Sequence, residues 1–454
     1  MQIRTSVAWG ALYGLLSGYL PGCLLGGDGD VVDVGPQSPI SDGVTLSLSE
    51  VPPESVDIAE ALLKATAGSE ATPEWTDASR LRDRAYVYLR QDVEGPAYYE
   101  FGVTDGGRIL VATGAHDSPV PAFSDLGAPI ASMLYEQASR RGKTVAGLHR
   151  LNSNTSVATD TRGHVVAALG GPQLDGDASL AEYERAMVPD DDELMRKSVA
   201  PRGTRVAYGQ QWKTLYRRDE KSARTGAEGS PKLAVSDVKW LYHRDLLRAR
   251  VRWDQPDVDP GPKTCWAGCA PVALAQVAAY LAYSDRWGNP KYAGSGARNL
   301  YPNVSTSATA PQAIQLISSL HSELGSLCWP NMVKGEFADT WVPFVNESAV
   351  APWNMDRFKA WARKRNASVR FSTSWGGPWG GDEDAAWNAI RRGNPVVLGW
   401  NYTHYNVGVG AGFLNGDKYV WVNNGWGGNQ DGWLLYDKNA MFFSGIVRSW
   451  VSGK

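Results

Sequence analysis

The chain has 454 residues, of which 43% are apolar and 20% are charged, and its net charge is −3. That length suffices for two or three domains of ordinary size, and the composition is typical of globular proteins. The charge balance gives no sign of the basic surface that nucleic acids and acidic membranes require, so no nucleic-acid partner is expected.

Residues 1–23 have the layout of an export signal. One positive charge, Arg4, precedes an apolar run from Val7 to Leu20 that is too short to span a bilayer. The run ends in "LPGC", which is similar to the box that ends a bacterial lipoprotein signal, so we expect Cys23 to carry a lipid. The alternative is an ordinary cleaved signal in which Cys23 has no role. We therefore predict an exported bacterial protein, either a cell-envelope lipoprotein whose only membrane contact is its N-terminal lipid anchor, or a secreted protein.

Residues 24–50 are rich in Gly, Asp, Ser and Pro, which predicts a flexible tether. Residues 51–188 predict a small α+β domain, with one helix near 55–67 and another from Ile130. Strand-like runs lie between the helices, and "DGG" at 105–107 is a favoured hairpin turn between two of them.

Residues 189–234 mix Lys and Arg with Gly, Ser and Pro and have few apolar anchors, so we expect an exposed linker that proteases can cut. Residues 235–454 have the composition of a compact domain. The run from Pro271 to Tyr283 is apolar on all sides except at Gln276, which predicts a buried helix. The last third is strand-rich with Gly-rich turns, which predicts an antiparallel, barrel-like sheet.

The 19 tryptophans crowd the C-terminal two-thirds of the chain, often beside glycines, as in "SWGGPWGGDEDAAW" and "NNGWGG". Glycine lets backbones approach closely, and indole rings then form flat walls. Two interpretations fit this pattern: rigid packing of loops, or an aromatic-walled ligand groove.

The stretch "TCWAGCAP" holds two of the four cysteines, Cys265 and Cys269. Such a pair could bind a metal, exchange electrons, form a disulfide or supply a nucleophile. No Cys or His cluster with ligand spacing accompanies it, so no metal is expected, and redox dithiols use C-x-x-C instead. Cys269 opens the predicted buried helix, where the helix dipole and the first-turn N–H groups stabilise a thiolate. We therefore predict that Cys269 is a nucleophile.

A thiolate nucleophile is served by a base, and that base by a group that orients it. Of the six histidines, only His321 and His404 follow Cys269. His321 lies in an apparent amphipathic helix and is expected to be a surface or packing residue. His404 opens a strand, and the downstream "VNNGWGG" contains Asn residues that can hold an imidazole ring. Upstream, in "RWDQPD", the Gln255 side chain is a suitable oxyanion donor.

The motifs "WDQP", "AGCAPVALAQ", "HYNVGVGAGF" and "VNNGWGGNQDGW" together resemble the streptopain family of bacterial cysteine proteases, within the papain-like clan. Cys269 and His404 are separated by the ~130–150 residues expected of papain-like enzymes. The stretch "AYYEFGVTDGGRILVATGAHDSPVPAFSDLG" is similar to the family's propeptide domain. The resemblance implies an α+β fold with a two-lobed, papain-like protease domain at 235–454. It also implies a propeptide at 51–188 that blocks the cleft until the linker at 189–234 is cut.

By this resemblance Cys269 would be the nucleophile and His404 the general base and acid, while Gln255 and the Cys269 backbone N–H would hold the oxyanion. In papain-like enzymes a cysteine just before the nucleophile is bonded to a downstream loop, which makes Cys265 and Cys328 a candidate disulfide. The alternative is two buried thiols.

The resemblance leaves two candidates for the residue that orients His404. Alignment on "VN-x-GWGG" selects Asn423, whereas counting back from Trp426 selects Asn424, which stands where the family has a Trp. We prefer Asn423. Trp426 would shield the hydrogen bond between Asn and His from water.

The leading hypothesis is an exported cysteine endopeptidase made as a zymogen, which hydrolyses protein or peptide substrates through a thioester. Its propeptide acts as an intramolecular inhibitor, and no cofactor is expected. Two alternatives stay open: a catalytically silent surface-binding lipoprotein on a protease fold, and an amidase of cell-wall peptides that uses the same Cys–His pair. The intact catalytic set argues against the first, and the propeptide-like domain argues against the second.

Overall fold

A computed structural model describes residues 44–170, 178–187, 208–215, 231–258, 266–302, 311–328, 348–350, 352–375, 383–400, 404–428, 430–436 and 441–448. Residues 40–454 form one compact unit. No helix within the described ranges is both long enough and apolar enough to cross a bilayer. The predicted signal, with Cys23, lies outside these ranges.

The described α-helices are α1 (Pro53–Thr66), α2 (Ile130–Arg140), α3 (Leu180–Met187), α4 (Gly209–Leu215), α5 (Cys269–Arg286), α6 (Pro311–Leu324), α7 (Phe358–Arg363) and α8 (Glu383–Arg391). A π-helical turn covers Leu246–Arg250, and 3₁₀ turns cover Ala297–Asn299 and Pro352–Arg357. Helix α1 begins with Pro53, whose fixed φ suits a first helical position. Both helices predicted in residues 51–188, the N-terminal segment, are therefore present.

The described strands are β1 (Thr45–Ser47), β2 (Leu81–Tyr88), β3 (Tyr98–Val103), β4 (Arg108–Ala112), β5 (Ala122–Ser124), β6 (Gly147–Arg150), β7 (Ser156–Thr159), β8 (His164–Leu169), β9 (Ala178–Ser179), β10 (Val235–Trp240), β11 (Leu327–Cys328), β12 (Ser348–Ala349), β13 (Arg370–Trp375), β14 (Val396–Trp400), β15 (His404–Leu414), β16 (Asp417–Asn423), β17 (Gly432–Leu435) and β18 (Met441–Arg448). The predicted hairpin joins β3 to β4, and its Gly106 and Gly107 both have positive φ.

One large antiparallel sheet runs through most of the molecule, in the order β1-β2-β3-β4-β5-β17-β16-β15-β14-β18-β13, with β10 also paired to β15. The N-terminal segment and the C-terminal segment (residues 235–454) share it because β5 pairs with β17, which sets Phe123 opposite Trp433 and Ala122 opposite Leu434. The mixed helix and sheet fold is therefore confirmed. Among the described strands this path is open, from β1 to β13, and differs from the barrel-like closure that we expected.

A second antiparallel sheet, β6-β7-β8-β9, belongs to the N-terminal segment, and α2 packs against its strands β7 and β8. Helix α5 crosses the core of the C-terminal segment. Its residues 270–282 are all buried, including Gln276, as the apolar run predicted.

Parts of the two segments predicted to be a flexible tether and an exposed linker form secondary structure. The end of the expected tether forms β1, which pairs with β2. Burial of Val44 and its apolar neighbours stabilises this pairing. Within the expected linker at 189–234, α4 is docked through the buried Leu215 and through Trp212, whose indole N–H donates to the Asp117 carbonyl at 3.0 Å. Apolar burial at Leu215 and Trp212 thus contributes to the docking of a segment whose average composition is polar.

Candidate active site

Cys269 is the first residue of α5, and Gly268 before it has a φ of 84°. This left-handed conformation costs glycine little and turns the incoming chain into the helix. The Cys269 side chain is half-buried and is not in a disulfide. At the amino end of a buried helix, the sulfur lies in the positive field of the helix dipole, which favours the thiolate.

The backbone that leads into Cys269 is held from two sides at Ala267. The Ala267 N–H donates to the Pro256 carbonyl at 2.9 Å, and the Ala267 carbonyl lies 3.0 Å from Nδ1 of His321. Because a carbonyl only accepts, Nδ1 of His321 carries the proton in this contact. His321 thus packs at the border of the site and holds the backbone two residues before Cys269.

Gln255 directly precedes Pro256, whose carbonyl accepts the Ala267 N–H. The Gln255 side chain is buried, and its backbone N–H donates to Asp254 Oδ1 at 2.8 Å. Within the described part of the chain, its side-chain Oε1 is buried without a hydrogen-bond partner. Buried amide oxygens are usually satisfied, so this orphan acceptor marks Gln255 as an exception to ordinary packing.

The start of β15, which bears the predicted base, contacts the predicted nucleophile through its backbone. The Tyr405 N–H donates to Cys269 Sγ at 3.3 Å. A hydrogen bond to the charged form of an acid stabilises that form, so this contact favours the Cys269 thiolate. Tyr405 directly follows His404, and the structure therefore brings Cys269 and the His404 end of β15 together.

His404 is held as a neutral imidazole. Its Nε2 lies 2.9 Å from the Asn424 carbonyl oxygen, and its ring packs against Trp426 with centroids 3.8 Å apart and planes tilted by 30°. Because the carbonyl only accepts, Nε2 carries the proton and Nδ1 carries the lone pair. Burial lowers the pKa of His404 to about 3, and the hydrogen bond to Asn424 opposes this only in part.

The Asn423 side chain does not hydrogen-bond to His404, which differs from our preferred assignment. Its Oδ1 accepts from Gln276 Nε2 at 2.8 Å and from the Gly425 N–H at 3.0 Å. Its Nδ2 donates to the carbonyls of Leu247 and Val251 at 2.6 and 2.9 Å. With all four hydrogen bonds made inside the scaffold, this amide has none left for an imidazole.

Asn424, the alternative candidate, reaches His404 through its backbone rather than its side chain. The Asn424 side chain accepts from Asn406 Nδ2 at 3.0 Å and donates to the Gln430 carbonyl at 2.8 Å. Asn406 Oδ1 in turn accepts from Trp400 Nε1 at 3.1 Å. This buried network fixes the Asn424 residue, and its carbonyl is the group that orients the ring.

Trp426 lies over His404, and the N-terminal segment comes close to Trp426 at Gly170. A Cβ placed on Gly170, at the end of β8, would lie only 3.1 Å from Trp426 Cη2. The same Cβ would overlap the Asn154 carbonyl oxygen, and Asn154 is itself buried. Gly170 of the predicted propeptide segment thus leaves no room for a larger side chain beside the ring that covers the predicted base.

Sequence reasoning missed two residues that support the site. Gln276 was visible as the polar exception in an apolar helix, and it holds Asn423 from inside the core. Asp431 follows the Gly-rich loop, is fully buried, and accepts the Asn424 N–H on Oδ1 at 2.8 Å. Its spacing alone carried no signal, because the loop must fold back before Asp431 and Asn424 meet.

Several predicted features lie outside the described residues. Cys265 is among them, and for Cys328 the structure describes the backbone in β11 but not the side chain. The candidate disulfide and the lipid site at Cys23 therefore stay predictions. Within the described ranges, no group of three or more His, Cys, Asp or Glu side chains could hold a metal ion.

No family model matches this chain, and no curated protein matches it. The chain is similar to a mutant fragment of prointerpain A from Prevotella intermedia, with 15% sequence identity and a TM-score of 0.33, over 83% of this chain and 100% of that one. A likeness at this level does not define a shared fold, and the family of this chain stays a prediction from its motifs.

Proposed function

We propose that this chain is a cysteine endopeptidase made as a zymogen, with Cys269 as nucleophile and His404 as general base and acid. The observation that carries the proposal is the hydrogen bond from the Tyr405 N–H to Cys269 Sγ at 3.3 Å. It joins the start of the buried α5 to the strand end that bears the imidazole. A thiol at a helix start beside an imidazole is the arrangement that thiolate catalysis requires.

In the proposed reaction, Nδ1 of His404 takes the proton of the Cys269 thiol, because Nε2 already donates to the Asn424 carbonyl. The thiolate attacks the carbonyl carbon of the peptide bond, and the tetrahedral oxyanion collapses as His404 gives its proton to the leaving amine. Water, activated by His404, then hydrolyses the thioester and restores the thiol. The Gln255 side-chain N–H and the Cys269 backbone N–H are the proposed oxyanion donors.

The geometry around His404 supports a resting zymogen. A pKa of about 3 makes the imidazolium, which proton transfer must create, strongly unfavourable. Trp426 covers the ring, and Gly170 of the N-terminal segment lies so close to Trp426 that a Cβ on it would be 3.1 Å from Cη2. Removal of the segment 51–188 would admit water to His404, raise its pKa and allow the thiolate–imidazolium pair to form.

The proposal includes the finer predictions from the motifs. They are membership of the streptopain family, a papain-like two-lobed domain at 235–454, export of the chain, a lipid on Cys23 and a disulfide between Cys265 and Cys328. Metabolic labelling with a fatty acid tests the lipid, with Cys23→Ala as control. Mass spectrometry of the alkylated, unreduced protein tests the disulfide, and a reactive Cys328 thiol in folded protein would contradict it.

Incubation of the full-length protein with casein under reducing conditions tests the proposed activity. Matched samples carry Cys269→Ala or His404→Ala. We expect only the wild type to shorten to a fragment that begins within 190–240 and then to degrade casein. If the wild type keeps its length and leaves casein intact, the endopeptidase proposal fails. Cleavage of cell-wall peptides but not casein would favour the amidase, and no Cys269-dependent reaction with either would favour a silent binding protein.

A further inference from the structure

Asn424 is fixed at its backbone by a carboxylate. Asp431 Oδ1 accepts the Asn424 N–H at 2.8 Å, and the Asn424 carbonyl accepts from His404 Nε2 at 2.9 Å. A single residue, Asn424, therefore connects the carboxylate to the imidazole. All three residues are buried, so solvent does not compete for these hydrogen bonds.

Burial of the Asp431 carboxylate costs free energy of folding. The carboxylate is fully buried, and within the described chain Oδ2 has no hydrogen-bond partner. The charged groups that face it are Arg252, whose Nε lies 3.8 Å from Oδ2, and Arg108, whose Nη2 donates to the Asp431 carbonyl at 3.2 Å. Arg108 is itself paired with the buried Glu100 at 3.8 Å. Burial raises the pKa of Asp431 to about 6, and the two arginines oppose this.

A neutral serine or asparagine could accept one backbone N–H without the cost of burying a charge. The contact with Asn424 therefore needs only the acceptor oxygen Oδ1, which an asparagine at this position would keep. Its two arginines come from different parts of the chain, since Arg108 lies in β4 and Arg252 follows the π-helical turn. Asp431 thus contacts one arginine from the N-terminal segment and one from the C-terminal segment.

We propose that Asp431 is a positioning residue that holds the Asn424 backbone so that its carbonyl fixes His404 with the proton on Nε2. Nδ1 is then left to serve Cys269, a consequence that rests on the proposed peptidase function. In this arrangement a backbone carbonyl, held by a buried carboxylate, takes the place of a side-chain amide. Asp431 touches neither the nucleophile nor the imidazole, and it acts only through Asn424.

The direct test is the tautomer of His404, which does not depend on peptidase activity. The full chain is labelled with ¹⁵N-histidine in a Cys269→Ala background that prevents self-cleavage, and His404→Gln assigns the signal. We expect a single tautomer with the proton on Nε2 in the parent chain and in Asp431→Asn, which keeps an acceptor oxygen. In Asp431→Ala we expect a mixture of tautomers.

The matched control is Asp285→Ala, at the far end of α5. Asp285 is also buried and also accepts backbone N–H groups, from Gly294 and Arg298, both at 3.0 Å. It lies about 24 Å along the helix from Cys269. The control should lower the unfolding midpoint yet leave the His404 tautomer unchanged.

Kinetics of Asp431 variants that keep Cys269 supply the second measurement. Asp431→Ala should lower kcat about tenfold or more with little change in KM, and Asp431→Asn should restore most of it. The proposal is overturned if Asp431→Ala keeps the parent tautomer, if Asp285→Ala disturbs it equally, or if folded Asp431→Asn behaves as Asp431→Ala does. An inactive wild type with the expected tautomers would refute the peptidase function and leave the positioning role intact.

Discussion

Arg248 joins the C-terminal segment to the N-terminal one through a buried ion pair. Its Nη1 lies 3.1 Å from Glu74 Oε1, and its Nη2 donates to Asp125 Oδ2. The Arg248 and Asp125 side chains are 3% and 0% exposed, whereas Glu74 is half-exposed. We predict that Arg248→Met leaves the buried Asp125 carboxylate without its ion-pair partner.

The size and pH dependence of the effect follow from this burial. Loss of one partner from a buried ion pair costs about 3–5 kcal/mol, while the exposed contact with Glu74 adds less than about 1 kcal/mol. Burial already raises the pKa of Asp125, and Arg248 opposes that rise. Without Arg248 the pKa rises further, so the folded state takes up a proton more readily than the unfolded chain does. The deficit should therefore be largest at neutral pH and shrink as the pH falls.

Urea unfolding of the full chain in a Cys269→Ala background measures these free energies. The double variant Arg248→Met/Asp125→Asn should be more stable than the sum of the single losses predicts, with a coupling energy of at least about 2 kcal/mol. Lys364→Met, which breaks the more exposed pair with Glu323, is the matched control and should cost less than about 1 kcal/mol. An Arg248→Met variant as stable as this control, or strictly additive costs, would refute the reasoning.

Three further predictions follow from single contacts. Because the pKa of His404 falls from 6.5 to about 3 on folding, its contribution to stability is complete above pH 6.5 and is lost as the pH falls. Wild type should thus lose about 2 kcal/mol more than His404→Gln between pH 7 and pH 5, and equal losses in urea unfolding would contradict this. Gly428 has a φ of 84°, and a Cβ there would overlap the Arg252 guanidinium, so Gly428→Ala should cost about 1–3 kcal/mol in thermal unfolding, whereas a neutral effect would count against this loop geometry. Trp212→Ala should undock α4 and speed tryptic cleavage after Lys213 about tenfold or more, and an unchanged rate would show that Trp212 is not the anchor.

Local signals were enough to predict much of the secondary structure and the two central residues of the candidate site. The "DGG" hairpin, the helix from Ile130 and the buried α5 all follow from periodicity and turn chemistry over a few residues. Cys269 was selected as the opening residue of a predicted buried helix, and His404 by its spacing from Cys269 and by the motifs that flank it. These features depend on neighbours in the sequence, which is the information that a sequence holds directly.

Tertiary structure decided which groups around them are available for chemistry. Asn423 and Asn424 are adjacent and chemically identical, yet the first is consumed by core partners and the second presents its carbonyl to His404. The role of Asp431 depends on the loop that folds it back onto Asn424. A side chain can make only a fixed number of hydrogen bonds, and which partners take them is set by distant segments that pack around it. The sequence was therefore enough to propose which residues form the site. Which of their hydrogen-bond donors and acceptors remain available is set by the fold.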